Sequence, residues 1–345
     1  MPTTANNNRK RRLPRYPRIF LLGTIFLLTL VIVSTYFAFA HNSKKTEVQA
    51  ASSFSFTAAG DYGQTNYTTA NLNYIKNSGV SFNLALGDSG YDSHVSASAW
   101  STYAKSNLRA NFPFEILDGR HDTSQINTYA ANLPNHIGTI SGTYAKQYAF
   151  DYPQGSPLAR FILISPTVLY NYSKGSANYT WVSHEIDSAR SAGIHWVIVG
   201  MHQYCFTIDS KTCPSQDLLD LLLNKKVDLI LQAQKHSYQA SKQLALSSSC
   251  PMLNPTSYNA KCVVNSSTSL TRGAGSVIVV TGTGGTTPLL SINTSDPKIQ
   301  YFRKWMGSNV NQTFGLSQFT ISSTSITEHF VGVSGSFSDS FTING

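Results

Sequence analysis

Beyond residue 52 the chain alternates short apolar runs, rich in β-branched and aromatic residues, with stretches of helical spacing. Strands are predicted over 54–58, 82–86, 114–117, 160–164, 195–199, 227–231 and 276–281, and helices over 70–77, 96–110, 177–191 and 215–225. Gly79 and Gly193 stop two of the helices, and Asp217 and Lys225 sit at the ends of the last one in the sense that suits its dipole. Such alternation predicts an α/β domain with a largely parallel sheet core. From Gly315 the tail alternates with period two and predicts a closing β-meander. Gly282-Thr283-Gly284-Gly285 follows a strand but lacks the spacing of a nucleotide loop, so it reads as a tight turn.

The N-terminus breaks this pattern. Arg9, Lys10, Arg11, Arg12, Arg15 and Arg18 form a basic block over 1–18, and residues 19–40 carry no charge. An uncharged apolar run of that length suffices to cross a bilayer, with its positive flank left on the cytoplasmic side. It reads as a transmembrane signal anchor, or as a signal peptide cut after Ala40 at a small-x-small site. A polar linker over 41–51 then leads to a domain over 52–345 that faces outward: membrane-held in the first case, secreted in the second. The net charge of +9 comes mostly from the basic block, so no basic patch remains to bind nucleic acid. Cys205 and Cys213 are near neighbours, as are Cys250 and Cys262, which suggests two local disulfides in an oxidising compartment, although four cysteines allow three connectivities.

The chemistry lies just past the ends of the predicted strands. The first runs into Gly60-Asp61-Tyr62-Gly63, the second into Gly87-Asp88-Ser89-Gly90-Tyr91, and the third into Gly119-Arg120-His121-Asp122. Later strands run into Val199-Gly200-Met201-His202 and Ala233-Gln234-Lys235-His236. Open α/β sheets build their sites beyond the carboxyl ends of strands. Taken singly, a Gly-Asp turn or a lone histidine says little. Five such ends together would gather carboxylates, a phenol and imidazoles at one edge, a donor set suited to a metal.

In this order GDYG, GDSGY, GRHD, VGMH and AQKH resemble the series GDxG, GDxxY, GNH(D/E), VxxH and GHxH of the purple acid phosphatases, a branch of the calcineurin-type metallophosphoesterases. The resemblance covers roughly residues 52–345. It implies two packed mixed β-sheets flanked by helices, with a binuclear metal centre at the sheet edge. Carried over position by position, Asp61, Tyr91 and His236 would hold a first metal, ferric iron because of the phenolate, and Asp88 would bridge to a second. His202 matches a ligand of that second metal, a divalent iron, zinc or manganese ion, and His121 matches the histidine that contacts phosphate and protonates the leaving group. Two second-metal ligand positions depart from the series, where Arg120 replaces Asn and Gln234 replaces His. A guanidinium has no acceptor and repels a cation. Arg120 and Lys235 could instead contact phosphate. The resemblance thus implies an extracellular hydrolase of phosphate esters or phosphorylated substrates, weakened at its second metal. The alternative is a degenerate relative that binds a phosphorylated or anionic ligand without turnover.

Overall fold

The structure is a computed structural model that describes residues 53–345 apart from Ser93. The basic block, the apolar run 19–40 and the linker lie outside the described residues. Among those described, no helix is long and apolar enough to cross a membrane.

The chain opens with β1 (Ser53–Ala59), β2 (Phe82–Ala85) and β3 (Phe114–Ile116), three parallel neighbours. Helices α1 (Asn66–Asn77) and α2 (Ala97–Ser106) connect them, and α3 (Ile126–Asn132) comes after β3. Next come β4 (Ser141–Thr143), β5 (Gln147–Tyr152), β6 (Ala159–Ile164), α4 (Ala177–Ser191), β7 (Trp196–Met201), α5 (Gln216–Asn224), β8 (Leu229–Gln232) and β9 (Tyr238–Ser241). A small ribbon of β10 (Gln243–Leu244) and β11 (Val263–Asn265) precedes β12 (Ser269–Thr271), β13 (Val277–Thr281) and β14 (Phe302–Met306). The tail is the expected meander of β15 (Phe314–Ser322), β16 (Ser325–Ser334) and β17 (Ser340–Asn344).

These strands make two mixed sheets, in the orders β12-β17-β16-β15-β1-β2-β3 and β14-β9-β13-β8-β7-β6-β5-β4. The largely parallel core expected from the alternation is therefore corrected. Parallel pairs β1–β2–β3 and β6–β7–β8–β13 are flanked by antiparallel strands in both sheets, while the two-sheet arrangement matches what the resemblance implies.

Period-two alternation in β1 explains the packing. Phe54, Phe56 and Ala58 face the second sheet, and Ala59 joins the cluster under α1 and α2 on the opposite face. Phe56 stacks on Phe82 at 5.2 Å and on Phe319 at 5.0 Å, and meets Phe161 of the other sheet edge-on at 5.1 Å. The outer face of the second sheet packs on α4 and α5 through Val182, Ile186, Leu218 and Leu222. The disulfides are Cys205–Cys213 and Cys250–Cys262, of a kind that persists in oxidising compartments.

One buried acid gives the fold a pH signature. Glu115 on β3 accepts hydrogen bonds from the Ile137 amide (2.6 Å) and the Tyr148 hydroxyl (3.1 Å). Burial pushes its carboxyl up to about 8, from 4.5, against the opposing effect of these two donors. Between those values the folded chain holds a proton that the unfolded chain has released. This contribution to stability is therefore full below pH 4.5 and is lost as pH rises towards 8. Glu115→Gln should flatten that part of the pH dependence, read as urea midpoints at pH 5 and pH 8.

Candidate metal centre

The carboxyl ends of β1, β2 and β3 in one sheet meet those of β7 and β8 in the other. The first two loops run side by side: Asp61 N donates to Gly87 O (3.0 Å) and Tyr62 N to Asp88 O (2.9 Å). Bonds from Gly60 N to Thr281 O (3.0 Å) and from Gly284 N to Gly60 O (2.9 Å) stitch the sheets together, so the glycine-rich turn after β13 serves as a seam. Asp61, Asp88 and Gln234 each adopt left-handed φ, at 64°, 53° and 62°. Such conformations cost about 1–3 kcal/mol each and concentrate where function over-determines the backbone. Gly119 permits a close approach, since a Cβ there would lie 2.1 Å from Asp88 N and 2.2 Å from its Oδ1.

Within this frame the side chains converge. Asp61 Oδ1 accepts from the Tyr91 hydroxyl (2.5 Å) and lies 3.4 Å from His236 Nε2, while Asp61 Oδ2 accepts from Gln234 N (2.8 Å). Asp88 Oδ1 accepts from His121 N (2.8 Å), and its Oδ2 lies 3.1 Å from the Tyr91 hydroxyl and 3.2 Å from His202 Nε2. Burial alone would raise the Asp88 carboxyl, but His202 and His121 outweigh it and hold it below the usual range. Burial pulls His202 down, and the carboxylates of Asp88 and Asp61 with the Leu86 carbonyl lift it to about 9. The Tyr91 phenol is driven up by burial and by the charges of Asp61 and Asp88.

The cluster fits a cation. Ligating atoms of Asp61, Asp88 and His202 lie within 4.8 Å of one another, all buried. His202 Nδ1 lies 2.8 Å from Leu86 O, and His236 Nδ1 lies 3.2 Å from Pro288 O. A carbonyl only accepts, so each Nδ1 carries the proton and each Nε2 is turned towards the carboxylates. His202 Nε2, although near Asp88, makes no aligned hydrogen bond among the described residues, and the buried Gln234 Oε1 has no partner among them either. Orphaned buried polar atoms beside two carboxylates are what a bound metal would satisfy.

Asp61 and His202 lie fully buried beneath a cleft of about 470 Å³, whose walls include Asp88, Tyr91, Arg120, His121, Gln234 and His236. His121 is half-exposed, its Nε2 4.0 Å from Asp88 Oδ2 and its ring 4.5 Å from that of Tyr91. Arg120 is exposed on the wall and has no ion pair among the described residues. Lys235 departs from expectation. Its Nζ turns away to Asp209 Oδ2 (2.9 Å) and does not line the cleft, because the loop after β7 presents a carboxylate there.

Two contributors have no role assigned by the motif series. Asp122, buried, accepts from Ser89 N (3.0 Å) and Gly119 N (3.3 Å), locking the second and third loops together. Its place as the fourth residue of GRHD is the signal that could have found it. Leu290 forms an exposed apolar rim to the cleft, and nothing in its sequence surroundings marks it.

No family model matches the sequence, and no curated protein does. Solved structures do. A purple acid phosphatase from yellow lupin (Lupinus luteus) seeds superposes with a TM-score of 0.62 at 16% identity, covering 86% of this chain and 54% of that protein. The chain thus spans about half of that phosphatase's length. GAP50, the anchor in the inner membrane complex of Plasmodium, aligns with a TM-score of 0.53 at 16% identity, over 85% of this chain and 90% of its own. PhoD aligns with a TM-score of 0.53 at 11% identity, over 85% and 69%. At these identities the likeness is one of fold, and the fold is that of the metallophosphoesterases.

Proposed function

We propose that this chain is a metal-dependent hydrolase of phosphate esters that works outside the cell, with one strong metal position and a weakened second one. The observation that carries this reading is the convergence of Asp61, Asp88, Tyr91, His202 and His236 from strand ends of two sheets, with the His202 Nε2 left unpartnered among them. Asp61, Tyr91 and His236 would hold a first metal, iron, and Asp88 and His202 would serve a second, a divalent iron, zinc or manganese ion. A metal held there supplies Lewis-acid polarisation of a phosphoryl oxygen. The chain's own groups do the rest. His121, half-exposed at the cleft, gives its Nε2 proton to the departing alkoxide. Arg120, on the cleft wall, presents its guanidinium to the phosphoryl oxygens, a cationic contact that strengthens as charge develops there.

Arg120 is also the reason for the weakness. A guanidinium on the wall repels a second cation, and Gln234 offers only a neutral amide oxygen in place of an imidazole. The second reading, a binder of phosphorylated or anionic ligands without turnover, draws on the same two residues. The domain over 52–345 would be held at the outer face by the run 19–40, or released by cleavage after Ala40. Two disulfides suit that location.

Elemental analysis of the purified chain, run beside p-nitrophenyl phosphate hydrolysis from pH 4 to pH 8, tests the reading. One tightly held metal per chain with slow turnover is expected. Iron should bring a visible phenolate charge-transfer band that disappears in Tyr91→Phe. Two tight metals with fast turnover would sink the weakened site. A metal-bound chain without turnover would favour the binder, and a chain that takes up no metal would end both readings.

A further inference from the structure

The cleft above the metal centre is open on its Arg120 side. Arg120 is also a wall of a second cleft, of about 450 Å³, between Thr123, Thr167 and Gln203. Thr167 and Pro214 in turn wall a third, of about 230 Å³, that reaches Ser215. Shared walls set the three side by side, as a groove that leads away from where a phosphate would sit.

The lining has a definite chemistry. Beyond Arg120 it carries no further cation and no aromatic ring, and its single carboxylate, Asp217, is engaged by the Lys174 amide (2.8 Å). What remains are hydroxyls and amides, with Val168, Pro214 and the Cys213 disulfide between them. Thr167 is exposed on the wall, and the Ser215 side chain makes no capping bond to the helix it precedes. Gln203 is only 9% exposed, yet its amide makes a single long bond, Nε2 to Tyr204 O at 3.4 Å. The rest of that amide faces the cleft, where a ligand hydroxyl could meet it. The groove is also held in shape. Thr167 sits at φ 60° with its amide on Tyr170 O (2.9 Å), and the Cys205–Cys213 disulfide closes the loop between Gln203 and Pro214.

We infer that the substrate's leaving group is a neutral, hydroxyl-rich alcohol, a sugar or polyol, lying along this groove with its phosphate at the metal centre. This rests on the phosphate-ester reading above. A nucleobase would want a ring to stack on, and a second phosphate would want a second cation. The groove supplies neither. Gln203, Thr167 and Ser215 act here as specificity determinants.

Calorimetry on the full-length chain in mild detergent, comparing glucose 6-phosphate with inorganic phosphate, reads the inference without needing turnover. The sugar phosphate should bind at least about tenfold tighter, as two or more new hydrogen bonds would give. Thr167→Val and Gln203→Leu should each cut that advantage by about threefold to tenfold. Thr167 is exposed, so its variant keeps the test alive if Gln203→Leu fails to fold. Equal affinities would overturn the groove, as would a larger gain for methylenediphosphonate or adenosine monophosphate than for the sugar phosphate. p-Nitrophenyl phosphate hydrolysis reports on the function alone. Turnover with no sugar preference removes the groove and leaves the hydrolase, whereas preference without turnover does the reverse.

Discussion

Asp88→Asn is expected to strip the chain of bound metal and to lower phosphate-ester hydrolysis by about 10²–10³-fold, the range typical of losing one preorganised electrostatic contact. Asp88 is where the cluster is knit together, within reach of the His121 amide, the Tyr91 hydroxyl and His202 Nε2 at once. Asparagine preserves its shape and tolerates its left-handed backbone at φ 53°. What disappears is the charge that opposes a cation. The amide also places donors against neighbours that already donate. Elemental analysis and a thermal melt with and without chelator separate this from misfolding. The variant should melt cooperatively and lose the chelator response expected of the parent chain. A variant that keeps both metal and turnover would show that the five-residue cluster is not the reacting site.

The largest gain should come from Arg120→Asn combined with Gln234→His. Metal content should rise from one to two per chain, and hydrolysis by about 10–100-fold, the scale on which metal-site partners change affinity or activity. The exchange asks little of the fold. Arg120 is exposed and makes no ion pair among the described residues. Gln234 already holds φ 62°, a conformation histidine accepts more readily than most residues, and its buried Oε1 has no hydrogen-bond partner among the described residues. Each single change should give less than the pair, since one removes a repelling charge and the other adds a donor at the same position. Metal content that stays at one per chain in the double variant would mean that these two positions are not displaced ligands.

Legibility in the sequence tracks local chemistry. The strand ends at Asp61, Asp88, His121, His202 and His236 are readable because each couples an apolar run to a turn bearing a potential ligand, and the structure gathers all five in or beneath one cleft. Period-two alternation after Gly315 is enough to anticipate β15 to β17. Elements without a local signal are lost. Ser141–Thr143 is exposed throughout and has no alternation to read, while Tyr238–Ser241 is buried throughout yet half polar. The helix at Asn66 begins four residues earlier than its apolar spacing suggests, because Thr65 caps it by accepting from Thr68 N (3.2 Å). Long-range partners are lost for a different reason. Nothing near Lys235 announces Asp209, and nothing near Arg120 announces that Thr167 and Gln203 share its cleft.

The pairing of β1 with β15 also bears on how the molecule is made. Ser53 lies opposite Ser322 and Ala58 opposite Ser317, so the strand that delivers Asp61 has one flank filled by a segment about 260 residues further on. Closing so wide a loop is slow and yields nothing until it is complete. A chain growing from its N-terminus must therefore carry β1 with a bare edge through most of synthesis, open to pairing with another nascent copy. The last strands to be made give the first its permanent neighbour, and a truncation within β15 would leave the whole preceding chain exposed to aggregation.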